Sequence, residues 1–361
     1  MFSASDHLHM TRALRLAERG LYTSMPNPRV GCVIVRDGHI VGEGYHERAG
    51  EAHAEIVALR AAGEQARGAT VYVSLEPCSH HGRTPPCADA LIEAGVARVI
   101  AAMEDPNPRV RGQGITRLRA AGIDTACGLL EAQARELNIG FVARMTRDRP
   151  WVRVKTAASL DGRTALYNGL SQWITGEAAR RDGHRWRARS CAVMAGIGTV
   201  LADNPRLTVR DVATARQPLR IVVDRHLQIP LDAAVLESGN ALVVTTEQPN
   251  EKSGELEARG AAVLHMPASD GKVDLVALMR ELAGRSLNEV LVESGNRLNG
   301  ALLQAGMVDE LIVYLAPHLL GDTARGMFDL GTLSALDQRR ALTISDVRRI
   351  GSDLRILARM A

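Results

Sequence analysis

His53-Ala54-Glu55, followed by Pro77-Cys78 and then by Cys87, brings together one imidazole, two thiols and one carboxylate. Three such donors suit zinc. A site with three protein ligands keeps one position open for water, as catalytic rather than structural zinc does. A His/Cys/Cys set beside a glutamate that is not a ligand is how deaminases activate water on zinc. The expected ligands are therefore His53, Cys78 and Cys87, and the expected proton carrier is Glu55. Bound zinc lowers the pKa of its water to about 7, and the resulting hydroxide can attack an amino-bearing ring carbon. A helix starting near Ala52 would hold His53 and Glu55 in its first turn. Cys78 would begin a second helix or loop, where the helix dipole favours a thiolate. The loop between the cysteines, Ser79 to Pro86, is longer than the two residues many deaminases have. Its His80 and His81 are alternative donors, but the three-ligand set is complete without them.

Outward from this cluster the chain reads as alternating helix and strand. Leu14, Ala17 and Leu21 give an amphipathic opening helix. Gly31–Val35 and Ile40–Gly44 read as strands joined by a hairpin turn at Asp37-Gly38. Ala52–Ala62 is helical, Thr70–Leu75 a strand, Ala88–Glu93 a helix and Arg98–Met103 a strand, and the alternation continues to about Phe141. That pattern predicts a layered α/β domain. It breaks in the charged run Arg144–Pro150, where the boundary is placed: a deaminase domain over 1–146 and a second α/β domain over 150–361. In the second domain Trp151–Thr156, Cys191–Ala195, Leu219–Val223, Ala241–Thr245 and Val290–Val292 read as strands. Glu177–Arg189, Asp274–Leu282 and Leu298–Gln304 read as helices.

Composition narrows the partners. The 361 residues carry a formal net charge of +3 and only 3% aromatics. A nucleic-acid surface needs a basic track and stacking faces, so small-molecule substrates are favoured over polynucleotides. The five cysteines are an odd number. With no signal peptide, they fit a reducing cytoplasm better than a disulfide frame. The apolar runs Cys191–Leu201 and Leu311–Leu320 are too short to span a bilayer.

The second domain shows glycine turns after strands, Ala195-Gly196-Ile197-Gly198-Thr199 and Glu293-Ser294-Gly295-Asn296. Backbone amides at a helix start, reached closely through glycine, can hold phosphate groups. The dinucleotide fingerprint fails, because Leu201 stands where its third glycine would be. Arg180, Arg181, Arg185, Arg187 and Arg189 read mostly as a solvated helix face, with one or two available to a substrate phosphate.

The residues now match a known family. Over essentially its whole length the chain resembles the bifunctional riboflavin-biosynthesis deaminase–reductases. In the first half the likeness rests on Asn27-Pro28-Arg29-Val30-Gly31, Gly42-Glu43-Gly44-Tyr45-His46, His53-Ala54-Glu55, Leu75-Glu76-Pro77-Cys78 through Cys87, and Asp105-Pro106-Asn107-Pro108. In the second it rests on Lys155, Ser159-Leu160-Asp161-Gly162, Ser171-Gln172-Trp173, Gly198-Thr199 through Pro205, and Leu207-Thr208-Val209-Arg210. The resemblance implies two α/β/α domains, a cytidine-deaminase-like one and a dihydrofolate-reductase-like one. It also implies one zinc ion, and NADPH as reductant. The expected reaction is removal of an amino group from a diaminopyrimidinone ribosylamine phosphate, then reduction of the ribosyl group to ribityl.

By the same resemblance Asn27, His46, His80 and Arg83 are substrate contacts in the deaminase. Ala157, Trp173, Thr199, Asp203 and the run Gly295, Asn296, Arg297, Leu298, Asn299, Gly300 and Ala301 are NADPH contacts. Ser171, Arg187, Leu207, Arg210 and Glu293 are substrate contacts in the reductase. Lys155 and Glu293 are its candidates for orienting or protonating the opened sugar. Asn204 departs from the pattern, since an acidic residue is frequent there. A homo-oligomer is expected on resemblance alone. Two readings compete: a deaminase of another aminated base or nucleic acid with an accessory domain, and a chain whose second domain serves binding or assembly.

Overall fold

A computed structural model describes residues 2–79, 86–108 and 110–361. The chain divides into two compact units, Met1–Asp148 and Arg149–Ala361.

The first unit runs α1 (Ala4–Glu18), β1 (Gly31–Arg36), β2 (His39–Tyr45), α2 (Ala54–Ala62), β3 (Thr70–Val73), α3 (Cys87–Glu93), β4 (Arg98–Ala101), α4 (Gln113–Ala120), β5 (Asp124–Cys127), α5 (Glu131–Leu137) and α6 (Ile139–Arg147). Its sheet has the order β2-β1-β3-β4-β5. β1 is antiparallel to β2 and β3, and β3, β4 and β5 are parallel. Alternation along β1 serves two helical layers at once. Val33 and Val35 pack with Met10, Ala13 and Leu14 of α1, and Cys32 and Ile34 pack with Ala54, Ala58 and Ala62 of α2. Ser3 and Asp6 form a capping box on α1, which ends at Glu18. Leu21, expected inside that helix, lies beyond it.

Close packing of α2 depends on glycine in β2. A Cβ at Gly42 would lie 2.3 Å from the Ala58 carbonyl oxygen, and one at Gly44 would lie 2.4 Å from that of Ala54. The helix bearing Glu55 therefore lies directly on the strand.

The second unit runs β6 (Trp151–Ser159), β7 (Arg163–Ala165), α7 (Glu177–Arg189), β8 (Ala192–Gly196), α8 (Ile197–Asp203), β9 (Leu219–Val223), β10 (Ala241–Thr245), α9 (Glu251–Ala258), β11 (Ala261–His265), the short hairpin β12 (Ala268–Ser269) and β13 (Lys272–Val273), α10 (Leu275–Gly284), β14 (Glu289–Val292), α11 (Asn296–Gln304), β15 (Glu310–Ala316), β16 (Arg325–Gly326), β17 (Leu342–Ile350) and β18 (Asp353–Met360). The main sheet has the order β11-β10-β9-β8-β14-β6-β15-β18-β17. From β11 to β15 the strands are parallel; β18 pairs antiparallel with β15 and with β17. Strands covered on both faces read as continuous apolar runs, as β8 and β10 nearly do, while β9 is interrupted by Arg220 and β14 opens on Glu289. Both units are α/β/α, as expected.

One face of this sheet is not oil. Under α7, the buried Arg153 lies between Glu289 and Glu310, with its Nε 2.5 Å from Glu310. Arg189 reaches Glu289 at 2.9 Å. Tyr314 donates to Asp182 at 2.7 Å, and Arg355 reaches the same carboxylate at 2.9 Å. Buried ion pairs are weak sources of stability but fix registry. Here they hold α7 in one position over β6 and β15. No helix among the described residues is long and apolar enough to cross a membrane.

Candidate active sites

In the first unit, His53 is the N-cap of α2, with extended backbone at φ −70° and ψ 160°. The helix begins at Ala54, not near Ala52. Glu55 alone is in its first turn, and it is buried. Cys78 does not begin a helix. It sits in the loop after β3, and α3 begins at Cys87. The dipole expectation survives in altered form, because the Cys87 amide at the start of α3 donates to Cys78 Sγ at 3.3 Å.

The three donor atoms lie within 4.8 Å of one another. His53 Nδ1 is 3.2 Å from Cys87 Sγ and 3.6 Å from Cys78 Sγ. Tetrahedral zinc with ordinary Zn–S and Zn–N bonds separates sulfur from nitrogen by about 3.5 Å, so the residues fit the ion in spacing as well as in type. The hydrogen bond from Cys87, helped by His53, pulls the Cys78 thiol well below its ordinary value against the effect of burial. Cys87, which keeps the shared proton and is buried, moves up. Burial, and then the Cys78 charge, raise the Glu55 carboxyl to about 7. A carboxyl at that value can both take and return a proton near neutrality.

Two further expected residues join the cluster. His46 Nδ1 lies 3.1 Å from the Ala52 carbonyl and so must donate to it. Its Nε2 then accepts from Asn27 Nδ2 at 3.0 Å. The rings of His46 and His53 meet edge to face at 5.3 Å. Burial lowers the pKa of His46. Asn27 keeps its carbonyl oxygen for another partner. His80, Arg83 and the alternative donor His81 lie outside the described residues.

Glu76 had no role assigned from sequence. It is buried, and its carboxylate accepts the amides of Asp105 (3.0 Å), Gly112 (2.9 Å), Gly114 (2.8 Å) and Ile115 (3.1 Å). It thus pins the start of α4 against the segment that carries Cys78. A Cβ at Gly114 would stand 1.9 Å from the Pro77 carbonyl oxygen. Gly114→Ala must displace Pro77-Cys78. We expect it to weaken zinc binding about 10- to 100-fold, the scale of outer-shell changes, as read by competition with a chromogenic chelator. Unchanged affinity would show that the cysteine segment yields freely.

In the second unit, Glu293 follows β14 and Lys155 lies on β6, with Nζ to Oε2 at 3.6 Å. Arg187 of α7 grips the same carboxylate with Nε at 2.5 Å and Nη2 at 3.0 Å. Arg187 also donates to the Thr208 carbonyl at 2.9 Å. Burial would raise the Glu293 carboxyl, but Arg187 and Lys155 more than offset it and hold it at about 2. Gly183 of α7 borders the Lys155 stem, at 3.9 Å from an ideal Cβ to Cε.

The glycine turns end β8 and β14, neighbouring strands of the sheet. They are tied together: Gly196 N–H donates to Ser294 Oγ at 2.9 Å, and Gly295 N–H to Thr199 Oγ1 at 3.1 Å. Gly196 and Gly295 are N-caps without a side-chain cap bond, and a Cβ at Gly198 would meet open space. Uncapped amides beside open space suit a phosphate-bearing ligand such as NADPH. Asn296 and Ala301 are half-buried, and Arg297 is exposed. Leu298 lies against Gly196.

Asn299 and Gly300 point inward. Asn299 donates to the Ser294 and Met327 carbonyls, and Gly300 makes room for the Asp329 carbonyl. Trp173 is 70% exposed, with Arg180 at 4.8 Å over its ring. Ser171 donates to Asp203 at 3.1 Å, and Ala157 is half-buried on β6. Leu207 belongs to the core, while Arg210 is exposed. Asn204 ends α8 in the left-handed region (φ 41°), and its Oδ1 accepts from Ala234 N at 2.8 Å. An amide oxygen suffices for that turn. Of the five arginines read as a solvated face, Arg187 and Arg189 are instead paired inward.

Fold and site together define a two-domain enzyme, a zinc deaminase unit followed by a reductase unit. Residues 3–103 match the cytidine and deoxycytidylate deaminase zinc-binding region, and residues 150–356 match the RibD C-terminal domain. The riboflavin biosynthesis protein RibD of Escherichia coli strain K12 is 51% identical, over 97% of this chain and 98% of its own length. That of Haemophilus influenzae is 45% identical over 98% and 97%. The solved structure of Acinetobacter baumannii RibD superposes with a TM-score of 0.93 at 44% identity, covering 99% of each chain. A Thermotoga maritima diaminohydroxyphosphoribosylaminopyrimidine deaminase/5-amino-6-(5-phosphoribosylamino)uracil reductase gives 0.87 at 34% identity, again over 99% of each. The chain belongs to the RibD family of riboflavin biosynthesis. It is a bifunctional deaminase and reductase with a zinc-binding first domain and an NADPH-dependent second domain.

Proposed function

We propose that the first domain deaminates the diaminopyrimidinone ribosylamine phosphate, and that the second reduces the resulting 5-amino-6-(5-phosphoribosylamino)uracil to the ribityl compound. The Thermotoga relative, named for both reactions, supports this over its full length. The observation that carries the deaminase is the cluster of His53, Cys78 and Cys87 with the buried Glu55 beside it. Those three residues would hold zinc, which would act as a Lewis acid and acidify its water. Glu55 takes the water's proton and delivers it to the ring nitrogen and then to departing ammonia. Asn27, His46, His80 and Arg83 serve as contacts to the pyrimidine or the phosphate, with Asn27 oriented by His46.

In the reductase, Lys155, Glu293 and Arg187 carry the reading. Thr199, Asp203, Trp173 and the start of α11 would hold NADPH, which would supply the hydride. Lys155 gives a proton to the sugar-ring oxygen as its bond to C1′ breaks and the nitrogen lone pair forms C=N⁺. Glu293, kept as a carboxylate by Arg187, faces that cation. Ser171, Arg210 and the backbone of Leu207, whose side chain lies in the core, border the remainder of the substrate. The protein acts in the cytoplasm: its cysteines are five, an odd number that suits a reducing compartment better than a disulfide frame. It works as a homo-oligomer; the edge strand β17 carries exposed Leu342, Ile344 and Val347, a face a second copy would cover.

The test follows ammonia release and NADPH absorbance together on the diaminopyrimidinone substrate. Both should appear in sequence. A zinc chelator should stop ammonia release and leave reduction of the pre-deaminated compound intact. If reduction stops as well, the two domains are not independent in metal.

A further inference from the structure

A histidine that no step above uses ties α7 to the loop after α8. His184 is 7% exposed. Its Nδ1 accepts the backbone amide of Arg210 at 3.2 Å, and its Nε2 lies 3.4 Å from Asp211 Oδ2. An accepting Nδ1 carries no hydrogen, so the ring proton is on Nε2, where the Asp211 carboxylate fixes that tautomer. Burial and the nearby Arg187 and Arg210 keep the ring neutral against the pull of Asp211 and Glu293.

His184 stands one turn before Arg187, on the same face of α7. Arg187 holds the Thr208 carbonyl, and Arg210 donates to the Thr208 hydroxyl at 3.1 Å. The helix therefore grips the segment 208–210 at two points. Both guanidiniums converge on Thr208, one at its carbonyl and the other at its hydroxyl. Arg210 has no carboxylate at ion-pair distance among the described residues. Two cations held together, one of them unpaired, suit a phosphate dianion.

We propose that His184 is a positioning residue of the reductase. By accepting the Arg210 amide it sets that guanidinium beside Arg187, where the pair binds the 5-phosphate of the ribosylamino substrate. The proposal rests on the reading of Arg187 and Arg210 as substrate contacts. Asparagine places an oxygen where Nδ1 was, whereas glutamine places its terminal group where Nε2 was.

The experiment measures reduction of 5-amino-6-(5-phosphoribosylamino)uracil by the full chain and, separately, the NADPH Kd by nucleotide fluorescence. His184→Gln should raise the substrate KM about tenfold, the scale of one lost buried hydrogen bond, with kcat and NADPH Kd unchanged. His184→Asn should restore most of the KM. An unchanged KM in His184→Gln, equal effects of the two variants, or a loss of NADPH affinity with the KM would overturn the proposal. Arg210→Ala separates it from the reading beneath it. An unchanged KM there removes the phosphate contact itself. A raised KM there with an unchanged KM in His184→Gln removes only the role of His184.

Discussion

Glu55→Gln is expected to lower deamination about a thousandfold, within the range that a positioned proton carrier contributes, while zinc stays bound. The amide keeps the shape and burial of the side chain but can neither take nor return a proton. Its neighbours explain why the loss should be large. Glu55 is buried in the first turn of α2, and His53 caps that same helix. The catalytic group and a ligand are thus fixed by one element. Metal analysis and ammonia release on the same preparation check it. Ammonia release that survives with full zinc would take the proton-carrying role away from Glu55. Reduction of the pre-deaminated substrate should be unaffected in this variant.

Lys155→Met should lower the kcat of reduction at least about a hundredfold and leave deamination untouched. The argument comes from which of the paired groups can give a proton. Glu293 is held at about 2, so it is a carboxylate throughout the neutral range. It cannot be the acid, and Lys155 at 3.6 Å is the group left to donate. The pH profile of reduction should accordingly show no acid limb from Glu293 near neutrality. The same depression sets its effect on stability. A carboxyl that titrates lower in the folded chain stabilises it above the ordinary value of 4.5, and that contribution is lost as the pH falls through about 2. A Lys155→Met enzyme with near-normal kcat would make the lysine a mere counter-ion for Glu293.

The fold class, the zinc donors, most strands of the first domain and the central strands β6, β8, β9, β10 and β14 of the second could be read from the chain, because their signals are local. Leu219–Val223 and Ala241–Thr245 are largely apolar, β-branched segments, and they form strands over those very residues. His53, Cys78 and Cys87 carry metal-binding chemistry in their residue types. The main-sheet strands β11, β15, β17 and β18 and the short strands β7, β12, β13 and β16 gave no such signal. β17 is exposed at most of its positions, so it lacks the buried alternation that marks a strand, and only pairing with β18 makes it one.

Partnerships between residues distant in sequence also had to wait for the tertiary structure. Arg187 and Arg189 look like the other arginines of a charged helix. They differ only because α7 lies across Glu293 and Glu289, which arrive about a hundred residues later. Glu76 reads as one letter of a motif until α4 presents its amides to it. Residue type and spacing thus determined which chemistry the chain could carry. Only packing decided which carboxylate is buried and protonatable, as at Glu55, and which is clamped as an anion, as at Glu293, because a pKa is set by burial and neighbouring charge rather than by identity.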